Sequence, residues 1–506
     1  MTNNQKTLKE AQASVQEKAK EVRKDPTRPQ YHAISPAYWM NDPNGPIFYN
    51  GEIHLFYQHH PFSPQWDSIH WGHMKTEDLV HWTHLPIAFR PSYERGERHC
   101  YSGCCVVGTD GKPTALYTSI GKKLPEQWIA IGSEDMIDWK KPEANPVMDM
   151  NIHEESGLII QDWRDPYAWK GEHGSYYCVT GGHIVDAKYP EGLNPSVFLY
   201  KSQDLRNWEF LNVLTARYND GQEVPQDKEV DLGKNFECPN LFKIQGTQDK
   251  WMLLVSPHTK IPYTVGKFVD NKFIPKKWHI FDHSPVFYAP NSLIDHKGRN
   301  IVIGWLRGKN EDKDWNGCLS LPRVISLNHD GETITALPIP EITQLRDTHI
   351  KIENIHIEES KPQDLLKKDE VKPLEQYIQD QSVEIILRVS PDKKNKKNKE
   401  IPSFYCELYG KGDMVTEGTW GYDNEESRFY LGKHSGIFML NEGEKFLEVR
   451  IFIDRSVIEI FVNDRWAISQ ALDLSPEKSL GFNIHAQETI ISINSMEVWG
   501  IKSINA

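Results

Sequence analysis

The sequence lacks the features of a membrane-spanning, exported or nucleic-acid-binding protein. No run of about 18 apolar residues, the length that a transmembrane helix needs, occurs in its 506 residues. The N-terminus has no apolar core of signal-peptide length. Acidic residues outnumber basic ones, 71 to 58, and the net charge of −13 argues against nucleic-acid or anionic-membrane partners, which need a basic surface. We therefore expect a soluble, cytoplasmic protein.

Cysteine is scarce and unpatterned. The seven cysteines include no CxxC pair and no cysteine–histidine spacing of the zinc type. Their number is odd, which also speaks against a complete set of disulfides. We expect mostly free, buried thiols, as in proteins of a reducing compartment.

Helical periodicity is almost confined to residues 1–30, a polar N-terminal extension. Apolar side chains recur there at helix-like spacing, which predicts one amphipathic helix across about 5–24 that ends before Pro26. A disordered tail is the alternative interpretation. The residues that carry the pattern are Leu8, Ala11, Val15, Ala19 and Val22.

Aromatic residues are abundant, with 16 Trp, 20 Tyr and 19 Phe, and some of them mark a degenerate repeat. The pattern Ser/Thr-x-Asp-apolar-x-x-Trp occurs at 76–82, 133–139 and 202–208, so its tryptophans lie 57 and 69 residues apart. Units of about 60 residues that hold four short strands are typical of propeller blades. Residues 31–337 are therefore predicted to form a five-bladed β-propeller.

The C-terminal third alternates between apolar and polar residues. Residues 447–454 and 457–462 are two period-2 segments joined by a short turn, a pattern typical of an antiparallel β-sandwich. We assign residues 338–349 to a linker and 350–506 to this sandwich. The whole chain is then an all-β protein with a short N-terminal extension.

Three acidic residues stand close to prolines in strand-like sequence. These stations are Asn41-Asp42-Pro43, Arg164-Asp165-Pro166 and Glu237-Cys238-Pro239. The first strand of every propeller blade lines the central channel, so acids on such strands converge on one pocket. Like charges and partial burial then raise at least one carboxyl pKa, and a proton donor beside a carboxylate is what glycosidic bond cleavage needs.

Two other interpretations of the acidic stations are open. A lone Asp-Pro is most often a turn aspartate that caps its own loop. Clustered acids can also bind a divalent cation. Arg164 argues against a cation site, because this fixed positive charge stands directly beside Asp165 and is better suited to holding it ionised and oriented toward sugar hydroxyls.

The stations and their neighbours resemble the successive motifs of glycoside hydrolase family 32, the invertases, sucrose-6-phosphate hydrolases and fructan hydrolases. The resemblance covers about 31–500, in the family's order. Its departures flank the pocket: Tyr101-Ser102-Gly103-Cys104 replaces Phe-Ser-Gly-Ser, and His60-Pro61 replaces Asn-Pro. Further matching segments are 39–45, 56–58, 70–73, 287–290, 304–306, 319–323, 454–456 and 461–463.

The resemblance implies a five-bladed propeller with a C-terminal sandwich, and retaining hydrolysis of β-fructofuranosides without a cofactor. Asp42 would be the nucleophile with a low pKa, and Glu237 the acid and base with a raised one. Asp165 would bind ring hydroxyls and stabilise the transition state. For Trp66, a buried position in the core is the alternative interpretation. The residues implied to bind substrate are Asn41, Gln58, Trp66, Tyr101, Ser102, Arg164 and Cys238.

The leading functional hypothesis is hydrolysis of sucrose or short fructo-oligosaccharides. Fructosyl transfer, hydrolysis of inulin or levan, and action on sucrose 6-phosphate stay open, with Arg90 to Arg98 as candidates for a phosphate-binding rim. Activity on arabinosides or xylosides, or sugar binding without catalysis, would use the same kind of pocket. A homo-oligomer is compatible with the sequence.

Overall fold

The computed structural model describes residues 6–219, 221–308, 312–359, 361–391, 401–410, 413–414, 416–473, 480–487 and 490–504. The all-β prediction is confirmed, because strands dominate both compact units into which the chain divides. The first unit comprises 1–23, 34–281 and 288–335, and the second comprises 24–33, 282–287 and 336–506. No helix in the described ranges is long and apolar enough to cross a membrane.

The first unit begins with helix α1 (Leu8–Val22), which confirms the predicted amphipathic helix. Thr7 and Glu10 form a capping box, in which the Thr7 hydroxyl accepts from the Glu10 amide at 3.2 Å and the Glu10 carboxylate accepts from the Thr7 amide at 2.7 Å. Such a box satisfies two amides that the first helical turn leaves without partners. The buried stripe consists of Ala11, Val15, Ala19 and Val22.

In the described residues, the rest of the first unit contains five sheets of four or five strands and one two-stranded hairpin. Their strands pair antiparallel except for one short parallel pair. The first sheet contains β1 (Tyr38–Tyr49), β2 (Glu52–His60), β3 (His70–Thr76) and β4 (Thr83–His84). The second contains β5 (His99–Val107), β6 (Pro113–Ile120), β7 (Glu126–Gly132) and β8 (Trp139–Lys140). The third contains β9 (Ile160–Lys170), β10 (Tyr176–Val185), β11 (Leu193–Ser202) and β12 (Trp208–Ala216), followed by the hairpin β13 (Tyr218–Asn219) and β14 (Gln222–Glu223).

The last two sheets complete this arrangement. The fourth contains β15 (Glu237–Lys243), β16 (Trp251–Ser256), β17 (Ile261–Val269) and β18 (Lys272–Asp282). The fifth contains β19 (Phe287–Ile294), β20 (Asn300–Leu306), β22 (Cys318–Leu319), β23 (Arg323–Leu327) and β24 (Ile334–Pro338), while the intervening β21 (Trp315–Asn316) pairs in parallel with β1.

The first strands of the five sheets pack side by side. Strand β1 contacts β5, β5 contacts β9, and β9 contacts β15. The side-chain amide of Asn240 on β15 donates through Nδ2 to the carbonyl of Pro290 on β19 at 3.0 Å. The side-chain amide of Asn291 on β19 donates through Nδ2 to the carbonyls of Pro43 at 3.2 Å and Gly103 at 3.1 Å. These bonds connect the fifth sheet back to the first two, so the inner strands form a closed series.

The Ser/Thr-x-Asp-apolar repeat forms the turn before the fourth strand of three sheets. The Ser202 hydroxyl accepts from the amides of Asp204 and Leu205, and the Asp204 carboxylate accepts from the next two amides. The apolar residue has a positive φ at each repeat: 64° at Leu79, 59° at Met136 and 64° at Leu205. This conformation is costly for a bulky side chain, and burial of all three side chains offsets the cost.

The second unit contains two packed sheets around one apolar core, and α2 (Glu375–Gln379) follows its second strand. The first sheet has the order β25-β37-β27-β33-β34-β35, and the second has the order β26-β36-β28-β30-β31-β32 with β29 beside β28. The strands are β25 (Arg346–Glu358), β26 (Gln363–Asp364), β27 (Ser382–Pro391), β28 (Phe404–Gly410), β29 (Asp413–Met414), β30 (Trp420–Asp423), β31 (Arg428–Leu431), β32 (His434–Ile437), β33 (Leu447–Asp454), β34 (Val457–Val462), β35 (Trp466–Ala471), β36 (Leu480–Ala486) and β37 (Ile490–Ile501).

The segment assigned to a linker, 338–349, contains the 3-10 turn Pro340–Leu345 and the start of β25. The other 3-10 turns in the described residues are Tyr93–Arg95, Met150–Ser156, Pro190–Gly192, Leu365–Lys367, Asp369–Leu374 and Thr416–Gly418. All seven cysteines are free and buried, which confirms the expectation for the thiols.

A buried histidine holds residues 24–33 to the sandwich strands of the second unit. The ring of His32 contacts Asp454 Oδ2 at 2.8 Å and Glu459 Oε1 at 3.1 Å, and all three side chains are fully buried. Burial lowers the pKa of His32, but these hydrogen bonds outweigh burial and raise the pKa to about 9. Because the folded pKa exceeds the unfolded one, the stabilisation is complete below about pH 6.5 and is lost as the pH rises through 9.

We expect His32→Gln to remove this pH dependence. At pH 6.5 the variant should be less stable by ~3 kcal/mol, the equivalent of the pKa shift. The melting temperature of the native protein should fall between pH 7 and pH 9.5, and that of the variant should change less. His349→Gln is the matched control. His349 lies on β25, in the sheet that contains Asp454 and Glu459, and its side chain is 42% exposed. Equal pH dependence in the native protein and His32→Gln would contradict the assignment.

Candidate active site

Four inner strands carry one extra residue at the same place. The pairing of β1 with β2 shifts between Met40 and Pro43, and that of β5 with β6 shifts between Cys100 and Gly103. The strand β9 shifts between 164 and 167, and β15 shifts between 237 and 240. A β-bulge bends a strand and re-aims its side chains. The bulges therefore turn the residues of the acidic stations into one pocket.

A cavity lies where these bulges meet. Each of the five inner strands contributes to its lining. Of the three acids, Asp165 is a lining residue. The other lining residues are Pro43, Ser102, Gly103, Pro166, Tyr167, Cys238, Pro239, Asn240, Ala289, Pro290 and Asn291. All three acidic stations belong to the first unit.

Asp42 is surrounded by hydrogen-bond donors. Its Oδ1 accepts from Asn41 Nδ2 at 3.0 Å. Its Oδ2 accepts from Gln58 Nε2 at 3.1 Å and from the Ser102 hydroxyl. The carboxyl is buried, so its orientation is fixed by these amide and hydroxyl groups. The predicted substrate-binding residues Asn41, Gln58 and Ser102 are thus also the residues that hold Asp42.

Cys238 joins the first two acids. Its thiol sulfur lies 3.6 Å from Asp42 Oδ2 and 3.5 Å from Asp165 Oδ2, and its backbone amide donates to Asp165 Oδ2 at 3.0 Å. Asp165 and Cys238 both precede prolines yet have positive φ values of 62° and 44°. This conformation is uncommon for such residues, and the bulges impose it. The backbone at Asp165 and at Cys238 is therefore not extended, although each residue precedes a proline.

Glu237 is held by a cation, a phenol and an imidazole. Arg164 Nη2 donates to Oε1, and His258 Nε2 lies 3.2 Å from the same oxygen. The Tyr288 hydroxyl donates to Oε2 at 2.5 Å. Arg164 Nε lies farther from Asp165 Oδ2, at 3.8 Å. The arginine that was expected to orient Asp165 therefore makes its closest contact with Glu237.

The pKa values of the acids differ from the order that the resemblance implied. Burial raises the pKa of Glu237, but the hydrogen bond from His258 and the charge of Arg164 outweigh burial and bring the pKa to about 2. Burial raises the pKa of Asp42, with Ser102 and Asn41 opposing the shift. The expectation of a low pKa for Asp42 and a raised one for Glu237 is wrong for this arrangement, because the cations stand beside Glu237.

Asp165 has the clearest upward shift. Burial raises its pKa to about 7, with Arg164 opposing the shift and the charges of Glu237 and Asp42 adding to it. The expectation that clustering raises at least one carboxyl pKa is confirmed. Arg164 lowers the pKa of Asp165, as expected, but burial outweighs its effect. Three interacting acids titrate as a group.

Trp66 and Tyr101 form an aromatic edge with His99. The indole of Trp66 stacks on the His99 ring at 4.7 Å between centroids and meets the Tyr101 ring edge-on at 5.9 Å. Trp66 is 41% exposed, which makes the alternative of a buried core tryptophan wrong. An exposed aromatic face is well suited to stacking on a sugar.

Several residues that hold the acids escaped the residue-by-residue predictions. Trp39 Nε1 donates to Asn41 Oδ1 at 2.6 Å, and the Asp165 amide donates to Thr118 Oγ1 at 2.8 Å. Trp39 and Tyr288 lie in matched motifs, which was the available signal for them. Thr118 and His258 lie on neighbouring segments, and no local pattern marks them.

In the part of the chain that the structure describes, no group of three or more His, Cys, Asp or Glu side chains could hold a metal ion. The structure brings together a carboxyl held by neutral donors, Asp42, a second held by a cation, a phenol and an imidazole, Glu237, and a third that lines the cavity, Asp165. Such a set can form and break a bond at a sugar's anomeric carbon.

Comparisons with known proteins agree with this geometry. The chain matches the model for the glycosyl hydrolases family 32 N-terminal domain over residues 32–338 and that for the family's C-terminal domain over 341–500. A sucrose-6-phosphate hydrolase of Zymomonas mobilis is 29% identical over 515 residues, which cover 94% of this chain and 93% of the relative. A levanase of Bacillus subtilis is 27% identical, over 94% of this chain and 71% of the levanase.

A solved structure extends the likeness to the fold. The Bombyx mori GH32 β-fructofuranosidase superposes with a TM-score of 0.76 at 26% identity, covering 98% of each chain. The two family models together span more than half of the sequence. The chain therefore belongs to glycoside hydrolase family 32.

Proposed function

We propose that the protein hydrolyses terminal β-D-fructofuranosides, with sucrose and short fructo-oligosaccharides as substrates. The observation that carries this proposal is the convergence of the three acids. Asp165 lines the cavity, and the Cys238 thiol contacts both Asp42 and Asp165. Arg164 contacts both Asp165 and Glu237. Relatives named for the hydrolysis of sucrose 6-phosphate and of levan support it. So does a Bombyx mori relative, a variant of which was solved with sucrose.

Asp42 is the nucleophile in this proposal. One carboxylate oxygen bonds to the anomeric carbon of fructose while the bond from that carbon to the leaving oxygen breaks, which yields a fructosyl-enzyme ester. The donors Asn41, Gln58 and Ser102 keep the carboxylate in place. Since they already surround it, little rearrangement is needed when the reaction begins.

Glu237 moves the protons. It gives a proton to the leaving oxygen in the first step, and in the second it takes a proton from the water that hydrolyses the ester. Its low pKa suits the second step. The first step requires that a proton reach Glu237 beforehand, and Arg164, Tyr288 and His258 are the groups in contact with it.

Asp165 and the aromatic edge position the sugar. The pKa of Asp165, about 7, allows it to donate or accept a hydrogen bond at the ring hydroxyls, and it does not take part in the bond that breaks. Trp66 and Tyr101 offer an aromatic surface to the group beyond fructose. Tyr101 replaces a phenylalanine of the usual motif, so we place substrate preference at this edge.

The architecture supports a five-bladed propeller as the scaffold. The five sheets serve as blades, and their closed series of inner strands surrounds the cavity. We propose the domain division 1–30, 31–337, 338–349 and 350–506 for the extension, propeller, linker and sandwich. The second unit would then contribute stability, while the residues of the reaction come from the propeller.

The first test is the stereochemistry of sucrose cleavage. A nucleophilic Asp42 predicts that β-fructofuranose is the first anomer formed, observed by NMR before mutarotation, and that added methanol is converted into methyl β-fructofuranoside. Initial release of the α-anomer would contradict the proposal. At high sucrose concentration, accumulating trisaccharide would instead identify a fructosyltransferase, because a sugar then replaces water in the second step.

The same assay defines the substrate range. Sucrose, a short fructo-oligosaccharide, sucrose 6-phosphate, inulin, levan and an aryl arabinofuranoside are compared at equal enzyme concentration. We expect the highest kcat/KM on sucrose or a short fructo-oligosaccharide. A preference for the arabinoside would overturn the proposed activity.

A further inference from the structure

We propose that His258 carries protons between solvent and Glu237, an inference that rests on the function proposed above. His258 Nε2 lies 3.2 Å from Glu237 Oε1, and its side chain is 59% exposed, while that of Glu237 is 12% exposed. The imidazole therefore spans the distance from bulk water to a carboxyl that is almost buried. Histidine also titrates near neutral pH, as a proton carrier must.

The backbone of His258 is held in a costly conformation that keeps the ring in this place. Its φ is +66°, a region that few residues other than glycine adopt. Its amide donates to the Tyr288 hydroxyl at 3.1 Å, and its ring stacks on the Tyr288 ring at 5.9 Å between centroids. Strain of this kind persists where the surroundings enforce it, and it often marks a functional position.

The other neighbours of Glu237 cannot perform this task. Arg164 keeps its proton at any physiological pH. The pKa of Tyr288 is raised far above its usual range by burial and by the charge of Glu237. Arg307 covers the Tyr288 ring at 3.8 Å and carries a fixed charge. The charges of Arg164 and Arg307 lower the pKa of His258. The hydrogen bond that its ring donates to the Glu237 carboxylate has the larger effect and raises the pKa.

The proton balance of the cycle closes through this pair. A proton moves from the imidazolium of His258 to the carboxylate of Glu237, which leaves a neutral imidazole and a carboxylic acid. The acid then protonates the leaving oxygen as Asp42 bonds to the anomeric carbon. In the second half, Glu237 takes one proton from water while the hydroxide oxygen bonds to that carbon and releases Asp42. Glu237 passes this proton back to His258, which restores the starting charges. Between turnovers the exposed imidazole exchanges this proton with solvent.

The test compares pH profiles of kcat/KM for sucrose in the native enzyme, His258→Gln and His258→Gly. The native alkaline limb reports loss of the proton that the pair shares. Glutamine can still donate a hydrogen bond but cannot titrate, so the alkaline limb should move to lower pH by about one unit or more. At pH 7.5 the loss should be at least tenfold greater on sucrose than on an aryl fructofuranoside, whose leaving group needs no proton.

Rescue and controls separate proton transfer from a structural role. Added imidazole should restore sucrose cleavage by His258→Gly, where glycine also relieves the positive φ. His173→Gln is the matched control, since His173 is an exposed turn histidine, and it should match the native profile. A uniform loss across pH without imidazole rescue, or no loss, would overturn the inference. Absence of sucrose cleavage by the native enzyme would instead refute the proposed function.

Discussion

Replacing Asp42 by alanine is expected to reduce kcat for sucrose by about 10⁴-fold or more, an increase in the activation barrier of ~5 kcal/mol. The substitution removes the atom that would bond to the anomeric carbon, and Asn41, Gln58 and Ser102, which hold Asp42, are neutral donors. The nearby Cys238 thiol is a poor substitute, because burial raises its pKa far above the usual range. The measurement is initial-rate kinetics on sucrose with purified protein. Near-native activity in Asp42→Ala would refute the assignment of the nucleophile.

Azide provides a positive result for the same variant. The small anion can occupy the space of the missing carboxylate and attack the anomeric carbon once, which should give α-fructosyl azide with inverted configuration. The melting temperature of Asp42→Ala should equal or exceed that of the native protein, because burial disfavours the charge of Asp42 and the variant no longer carries it. A strongly destabilised variant would make its kinetics uninformative about chemistry.

The second large effect concerns Glu237. We expect Glu237→Gln to lower kcat for sucrose by about 10³- to 10⁴-fold, the upper part of the range for a general acid and base. An aryl fructofuranoside should still form the fructosyl-enzyme, since its leaving group departs without a proton. Mass spectrometry should then show an accumulated adduct of one fructosyl unit, because the variant cannot activate water for the second step.

Asp162→Asn is the matched control for this experiment. Asp162 lies on β9 with its side chain 61% exposed, and its carboxylate is 3.6 Å from Arg164. It thus shares the arginine with Glu237, but its carboxylate faces solvent, whereas the side chain of Glu237 is only 12% exposed. The control should retain activity within about threefold of native. Equal losses on sucrose and on the aryl substrate in Glu237→Gln would contradict its role as the acid.

The convergence of the acids could be predicted from the sequence because prolines and turn residues mark each station. The spacing of the Ser/Thr-x-Asp-apolar-x-x-Trp turns indicated the length of the repeat. That length in turn predicted propeller blades. What the pattern could not show is the bulge in four of the five inner strands. Asp42 and Asp165 lie within their bulges, whereas Glu237 is the last paired residue before its bulge.

The charge state of the pocket could not be predicted from local sequence. Glu237 differs from Asp42 because Arg164 and His258 stand beside it, and they come from strands and turns that are distant in the chain. Trp66 was ambiguous for the same reason: exposure of a tryptophan depends on what packs around it, not on its neighbours in sequence. Free, buried thiols followed from cysteine count alone, since no pairing had to be known.

The most direct measurement of the central claim is a crystal structure of Glu237→Gln soaked with sucrose. We expect one fructofuranose ring in the cavity, with Asp42 about 3–3.5 Å from the anomeric carbon. The carboxyl of Asp42 and the amide at position 237 should lie about 5–5.5 Å apart, on opposite sides of the scissile bond. A sugar bound away from Asp42, or an anomeric carbon that faces no carboxylate, would contradict the account.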